Sequence, residues 1–313
     1  MSTAVRTEPR TLAPPERRIA QVSGVERLGA YRLITALDGS GPVPCPGQFY
    51  MLASERRWGG GDDERPYLPR AFSYARARPG PDGLELDFLL EAVGPGTERL
   101  AELEPDEGLA LVGPLGVGFR PPPPGVSPIL VGGGIGVAPL LCLEDELIEA
   151  VPAGGPGRVA GSAPGRDRRR PDWARGPSAR EAREAATVLL GFRTAAHAQA
   201  GALFAGAPEI ATDDGSVGRP GLVTELLRDR LTADAEIALF ACGPPAMLEA
   251  VRKMGAEHGV SAQLALEAGM ACGFGACFGC AVPTKSGYIR LCVDGPVVAG
   301  DELDTALFPG AGH

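Results

Sequence analysis

The stretch Ala268–Pro296, AGMACGFGACFGCAVPTKSGYIRLCVDGP, decides how the rest of this chain is read. It holds four of the seven cysteines, Cys272, Cys277, Cys280 and Cys292, spaced Cys-x4-Cys-x2-Cys with eleven residues before the fourth. Gly273, Gly275 and Gly279 are interleaved with the first three. A loop that wraps a metal centre must turn tightly and aim backbone N–H groups at sulfur, and glycine permits both. Four thiolates grouped in this way suit zinc or an iron–sulfur cluster. The alternative, a disulfide-linked or inert buried set, fits poorly, because such clustering in a cytosolic-looking chain signals metal or redox chemistry.

Spacing separates the two metals. Structural zinc sites usually show two short Cys-x2-Cys knuckles, whereas here there is one and the first gap is four. A gap of four matches the plant-type [2Fe–2S] loop, although there the fourth cysteine lies much farther along. The iron–sulfur reading is the better fit.

A chain of 313 residues has room for two or three domains with cores of their own. Its net charge of −9 argues against nucleic acid or an anionic membrane as the main partner. The opening segment MSTAVRTEPRTLAPPERR has charge and proline but no apolar core, so no signal peptide is expected. The longest apolar run, Ile129 to Leu143, is interrupted by glycines and Pro139 and is too short to span a bilayer. A soluble cytoplasmic protein is expected.

Residues 1–15 read as a disordered tail. From there to about residue 123, short apolar segments alternate with glycine and proline. Strands are expected at Ile19–Val25, Ala30–Leu37, Gln48–Leu52, Ala71–Ala75, Leu84–Leu90 and Leu109–Val112, which together suggest a small antiparallel β-barrel. Trp58–Arg65 reads as a solvated loop, and Pro121–Gly125 as a stiff linker at a domain boundary. From 124 to 259 strands alternate with helices, the pattern of a parallel-sheet, Rossmann-like nucleotide domain. Its strands are expected at Pro128–Val131, Thr187–Gly191, Ala202–Phe204 and Glu236–Ala241, and its helices at Ala138–Ala150, Gly221–Leu231 and Pro245–His258. Leu222, Leu226 and Leu227 are expected on one helix face. The Gly-, Pro- and Arg-rich run 152–186 reads as a disordered insertion without a role, and 260–306 as a small cluster subdomain.

Several motifs point to chemistry. Arg70-Ala71-Phe72-Ser73 is a weak signal alone. It gains weight from Gly94-Pro95-Gly96-Thr97, which precedes a short helix expected at Glu98–Leu103; glycines with a threonine hydroxyl at a helix start suit an anion. Gly132–Pro139 (GGGIGVAP) sits between strand and helix, where a pyrophosphate loop belongs. Cys242-Gly243-Pro244 ends a later strand, on the side where such sheets bind ligands. A nicotinamide gives up two electrons as hydride and an iron–sulfur centre accepts one at a time, so a flavin is expected between them. No catalytic triad, HExxH or paired-carboxylate site competes, and no side chain is expected to act as an acid or base. His197, His258 and His313 are scattered.

With these motifs assembled, the chain resembles the ferredoxin-reductase-like flavoproteins, and most closely the electron-transfer subunits of class 1B dihydroorotate dehydrogenases. MACGFGACFGC followed by LCVDGP carries the resemblance most specifically; GPLGVGF, VGGGIGVAPL, TDDGSVGRPG and ACGPPAM extend it over about residues 17–303, excepting 152–186. The resemblance implies that Arg70 holds a diphosphate oxygen of FAD, that Ser73 lies near the ring nitrogens, and that Phe72 packs on the ring. Ala71 stands where the family often has proline. Gly94, Gly96 and Thr97 match the second phosphate loop; Gly134, Gly136, Cys242 and Gly243 match the NAD(H) side; the four cysteines match the [2Fe–2S] ligands. The implied partner is an FMN-containing dihydroorotate dehydrogenase catalytic subunit, in a heterotetramer of two copies of each.

A free-standing reductase feeding an oxygenase fits less well, since those usually carry a whole ferredoxin domain with a longer run to the fourth cysteine, which is missing here. Two further rival readings remain. One is a related reductase subunit serving another acceptor: ferredoxin and NADP, sulfur or a hydrogenase. Some such relatives carry Asp at the first cluster position, where this chain has Cys272. The other is a zinc-bearing module without redox chemistry. Cys277→Ala is expected to lose the cluster but keep FAD, on the premise that the flavin loops stand apart from residues 268–296. Arg193, just past the strand end at Gly191-Phe192, could touch a 2′-phosphate, but a solvated arginine is the better reading.

Overall fold

The computed structural model describes residues 9–13, 16–59, 66–150, 186–231 and 236–310. The expected insertion, apart from Ala186, and residues 60–65 of the Trp58–Arg65 loop lie outside the described residues.

Seven antiparallel strands form the first sheet: β1 (Arg18–Leu28), β2 (Tyr31–Asp38), β3 (Phe49–Ser54), β4 (Arg70–Ser73), β5 (Arg76–Gly80), β6 (Gly83–Leu90) and β7 (Gly108–Leu115), in the order β4-β3-β7-β1-β2-β6-β5. The chain passes from edge strand β4 to edge strand β5 through Tyr74-Ala75, and the Ala75 N–H donates to Asp87 O at 2.7 Å, which curls the sheet into a half-barrel. In β1 alternate residues turn inward, as a two-residue period requires. One of them is Arg18, which is tolerated inside because its guanidinium reaches Asp38 at 2.8 Å and Gly113 O at 2.7 Å.

Strand β3 explains how the lobes fit together. All six of its residues are buried, because its two faces serve different cores. Tyr50 and Leu52 point into the barrel with Phe88 and Leu109, while Phe49 and Met51 point outward against Cys280, Val282, Leu291 and Cys292. Each such apolar side chain contributes about 1.5–3 kcal/mol on burial. The barrel and the cysteine lobe therefore share a strand's worth of core.

The second sheet contains β8 (Ser127–Gly133), β9 (Thr187–Phe192), β10 (Glu209–Thr212), β11 (Arg219–Pro220), β12 (Ile237–Cys242), β13 (Ser261–Ala265) and β16 (Val297–Ala299), ordered β11-β10-β9-β8-β12-β13-β16. Every pairing is parallel except β13 with β16. Helix α2 (Ala138–Ala150) covers one face through Leu140, Leu143 and Leu147. Helices α3 (Val223–Arg230) and α4 (Pro245–His258) cover the other with Leu226, Leu227, Leu248 and Val251. The order of the β8, β9, β10, β12 and β13 strands reverses between β8 and β12, the switch point where such sheets bind ligands. Helix α1 (Pro95–Ala101) belongs to the barrel lobe, and a hairpin of β14 (Ala281–Thr284) and β15 (Gly287–Arg290) to the cysteine lobe.

The structure corrects four local expectations. Residues 9–13 are held, not free: the Thr11 N–H donates to Gln48 Oε1 at 3.0 Å, the Thr11 hydroxyl donates to Val43 O at 2.7 Å, and Pro9 O accepts from the Gly118 N–H at 2.7 Å. Ala202–Phe204 is not a strand, since Gln199–Leu203 is a 3-10 helix that sets Phe204 against the sheet; the strand is β10. Leu222 is 60% exposed and extended just ahead of α3, and Val223 takes the buried position in its place. Helix α1 begins at Pro95, not Glu98, because proline suits a first helical turn. Among the described residues no helix is long and apolar enough to cross a membrane.

Candidate functional site

An open cleft of about 620 Å³ lies where the three lobes meet. Arg70, Phe72, Ser73, Gly94, Gly96 and Thr97 line it from the barrel, Gly136 and Cys242 from the switch point, and Leu266 to Ala271 with Pro296 from the cysteine lobe. Most of the residues singled out in the sequence thus share one wall. Gly134 and Gly243 do not reach it. Gly134 (φ +55) makes the left-handed turn out of β8, and Gly243 packs on Gly133 and Met247.

On the barrel side, the Arg70 guanidinium lies over Gly96, where a Cβ would come within 2.6 Å of Nε. Its Nη1 donates to Leu68 O at 2.6 Å. Thr97 works differently from its expected role. Its hydroxyl accepts from the N–H groups of Val93 (2.9 Å) and Gly94 (3.1 Å) and donates to Gly94 O (3.0 Å), which saturates it. The hydroxyl therefore shapes the loop, and the anion-binding capacity falls to Arg70 beside the glycine backbone. This cradle, which any side chain at Gly96 would fill, fits a dinucleotide phosphate.

At the switch point, Gly132 of β8 pairs with Cys242 of β12. A Cβ on Gly136 would meet Cys242 O at 2.5 Å and Gly243 N at 2.6 Å, so the 3-10 turn Gly134–Val137 that follows β8 and the end of β12 approach here as closely as backbones can. Burial pushes the Cys242 thiol well above its ordinary range, with the nearby Glu267 carboxylate adding to the effect, so the thiol stays neutral. Arg193 pairs with Glu91 at the end of β6, and His197 Nε2 reaches the same carboxylate at 3.3 Å. These contacts, with Arg76–Asp145 at 2.9 Å, clamp the barrel to the nucleotide lobe.

The four cysteines form two pairs. Burial pushes Cys272 up, but N–H groups of Cys277, Phe274 and Ala276 together with the Cys277 thiol outweigh it and bring Cys272 down to about 6. Burial pushes Cys292 up to about 12, reinforced by a hydrogen bond with the Cys280 thiol and by charge on Cys280 and Cys272. A two-and-two arrangement of thiols on a loop that aims N–H groups at sulfur fits a binuclear iron–sulfur cluster better than one tetrahedral zinc. Gly273 (φ +80) and Gly275 (φ +87) supply the left-handed turns; a Cβ on Gly273 would strike Met51 at 2.5 Å.

The premise that the flavin loops stand apart from residues 268–296 is overturned. Ala268 to Ala271 form part of the cleft wall, and Cys272 follows directly. Sequence reading also missed Phe49, Glu91 and Glu267 in that wall. Glu267 had a legible signal, as it lies at the carboxyl end of a parallel strand; Phe49 and Glu91 had none, since their positions depend on how the lobes pack.

Comparison with known proteins agrees with this geometry. Residues 267–304 match the model of the iron-sulfur cluster binding domain of dihydroorotate dehydrogenase B. The dihydroorotate dehydrogenase B (NAD(+)) electron transfer subunit of Geobacillus sp. is 34% identical over 83% of this chain and 86% of the relative. That of Clostridium acetobutylicum is 31% identical over 82% and 85%. Among solved structures, an NADH-dependent reduced ferredoxin-NADP oxidoreductase superposes with a TM-score of 0.67 at 23% identity over 92% of this chain and 90% of that chain, which supports the fold. A ferredoxin reductase of carbazole 1,9a-dioxygenase does so with a TM-score of 0.56 at 20% identity over 78% and 66%. With identity above 30% along most of both lengths, this chain belongs to the family of dihydroorotate dehydrogenase B electron transfer subunits.

Proposed function

We propose that this protein moves electrons between NAD(H) and the FMN of a dihydroorotate dehydrogenase catalytic subunit, by way of FAD and a [2Fe–2S] cluster. One observation carries the reading: the cleft that joins Arg70, Ser73 and Gly96 to Gly136 and Cys242 is closed by Ala268 to Ala271, and Cys272 comes next in the chain. Arg70 and the backbone around Gly96 would hold the FAD diphosphate, with Phe72 and Ser73 beside the ring. Gly136 and Cys242 would border the nicotinamide, with Gly134 and Gly243 shaping the turns behind them. Cys272, Cys277, Cys280 and Cys292 would hold the cluster. The flavin, when bound, supplies the change from two-electron to one-electron chemistry. The protein's part is to hold the groups in order and exclude water from between them.

Phe274 and Phe278, neighbours in sequence of the exposed Cys277, and Tyr288 of the β14–β15 hairpin are 64%, 63% and 80% exposed. Large aromatics grouped around a redox loop suit a protein partner, the site of the catalytic subunit. A heterotetramer of two copies of each chain, in the cytoplasm, completes the proposal.

The deciding experiment is anaerobic, NADH-driven reduction of orotate by this protein mixed with the FMN dihydroorotate dehydrogenase of the same source. Activity that needs both chains is the expected result. Flavin bleached by NADH with orotate left unreduced would move the assignment to another acceptor.

A further inference from the structure

We infer that Arg290 is a positioning residue that sets the reduction potential of the cluster site, its guanidinium acting through the peptide between Gly275 and Ala276. The inference rests on the electron-transfer reading above. An electron that passes from flavin to a thiolate-held iron centre arrives singly and without a proton, so it adds one negative charge to the cysteine lobe. Net charge and hydrogen bonds to the sulfurs decide how readily that charge is accepted. Apart from its cysteines the loop brings no ionisable side chain: residues 268–284 contain no Asp, Glu, His, Lys or Arg.

Arg290 brings a charge to it from the end of β15. The side chain, which stays protonated at any working pH, lies two residues before Cys292 and reaches into both gaps of the cysteine motif. Its Nη1 donates to Gly275 O at 3.1 Å, between Cys272 and Cys277. Its guanidinium carbon stands 5.2 Å from the centre of the Phe278 ring, between Cys277 and Cys280. Asp294 anchors the other end, accepting the Arg290 N–H at 2.9 Å and lying 3.8 Å from Nε.

The contact with Gly275 matters most, because of what the neighbouring N–H groups do. The Gly275 N–H meets the Cys292 sulfur. The Ala276 N–H, at the far end of the peptide whose carbonyl Arg290 holds, meets the Cys272 sulfur. A cationic donor on a carbonyl polarises its peptide and strengthens the N–H as a donor in turn. Arg290 thus acts on Cys272 through one peptide unit without touching sulfur. Phe278 gives a second, independent sign. Its φ of +59 is a left-handed conformation that bulky residues rarely adopt, and such strain gathers at functional sites. In the turn it makes, the Gly279 N–H donates to Cys277 Sγ at 3.5 Å, and the guanidinium lies over its ring. Arg10 also reaches this lobe, but it donates to Val293 O, beyond the fourth cysteine.

The test uses the full chain with its cofactors, as wild type, Arg290→Gln, Arg290→Lys and Arg10→Gln. Iron and sulfide content gives cluster occupancy. An anaerobic redox titration followed by the EPR signal of the reduced cluster gives the potential of the loaded protein alone. In Arg290→Gln the affinity for the electron should fall about tenfold, equivalent to about 59 mV for a one-electron couple. Arg290→Lys keeps the charge but lacks the planar fork, so its potential should fall between the two. Arg10→Gln should stay near wild type. Lower occupancy with an unaltered potential in Arg290→Gln, the sign of a merely structural role, overturns the inference. So does an equal fall in Arg10→Gln, which would trace the effect to the net charge of the lobe. Should Arg290→Gln hold no cluster, Arg290→Lys decides alone, and a wild-type potential there overturns the inference. Wild-type protein that shows no EPR signal of a reduced two-iron cluster would overturn the electron-transfer reading itself, before any variant is compared.

Discussion

The guanidinium of Arg70 occupies the space in which Gly96 would carry a side chain, with Nε 2.6 Å from the ideal Cβ position. Two motifs that lie 26 residues apart in sequence, one on a strand and one opening a helix, thus meet at one point in the fold, the cradle proposed above for the FAD diphosphate. Either half should fail without the other. Arg70→Ala removes a charge-assisted contact worth about 1.5–3 kcal/mol, so FAD affinity should fall about 10- to 100-fold. Gly96→Ala should produce a similar loss by displacing the guanidinium. In both variants the visible and EPR signature of the cluster should persist. Fluorimetric FAD titration is the check, and unchanged affinity in Arg70→Ala would remove its assigned role.

Acid should loosen the C-terminal segment first. Glu249 of α4 holds Arg252 through paired 2.9 Å bonds and accepts the Ala306 N–H at 2.7 Å. The hydrogen bond from Arg252 is the main cause that brings its carboxyl down to about 2, against the opposing effect of burial. Because this folded value lies below the unfolded one, the stabilisation is present above the ordinary value of 4.5 and is lost as pH falls from there toward about 2. Glu249→Gln should lower the thermal midpoint by a few degrees at pH 7. The gap from wild type should narrow below pH 4.5, as scanning calorimetry across that window would record.

Much of this arrangement was legible in the sequence for local reasons. The cysteine–glycine loop, the strand at Ile19–Val25 and the glycine turn after β8 are properties of short stretches, and the strand and the turn lie where they were expected. Failures came where packing between lobes decides. Ala202–Phe204 has strand-like composition, but Phe204 reaches the core from a 3-10 turn. Thr97 has the composition of an anion ligand, yet backbone geometry saturates its hydroxyl. The contact of Glu91 with Arg193 and His197 crosses from barrel to nucleotide lobe, and no local pattern encodes it.

Loss of the cluster should also be felt by the flavin. The outward face of β3, Phe49 and Met51, packs on Cys280 and Cys292, and Ala268 to Ala271 wall the cleft. Cys277→Ser alters the exposed member of the Cys272–Cys277 pair, a proposed cluster ligand, without touching that core. It should abolish the cluster spectrum and reduce FAD occupancy several-fold, because the loop that follows the wall is no longer cross-linked. Gly273→Ala should act more severely, since a Cβ there meets Met51 at 2.5 Å and the φ of +80 disfavours any side chain. Full FAD retention in both variants, measured as the flavin-to-protein ratio after gel filtration, would show that the shared wall does not couple the two sites.

The nicotinamide side can be tested independently at Gly136. A methyl group there meets backbone atoms of Cys242 and Gly243 at 2.5–2.6 Å, and backbone cannot swing aside as a flexible side chain can. Gly136→Ala must push the turn after β8 away from the end of β12, an overpacking strain of about 1–3 kcal/mol. Arg70, Gly96 and the cysteines lie on other elements, so FAD and the cluster should remain bound. The predicted signature is therefore selective: the apparent KM for NADH rises about tenfold or more in flavin-bleaching assays, while dithionite still reduces flavin and cluster as in wild type. Equal losses in NADH-driven and dithionite-driven reduction would mean that the strain spreads through the fold and that Gly136 has no particular tie to the nicotinamide.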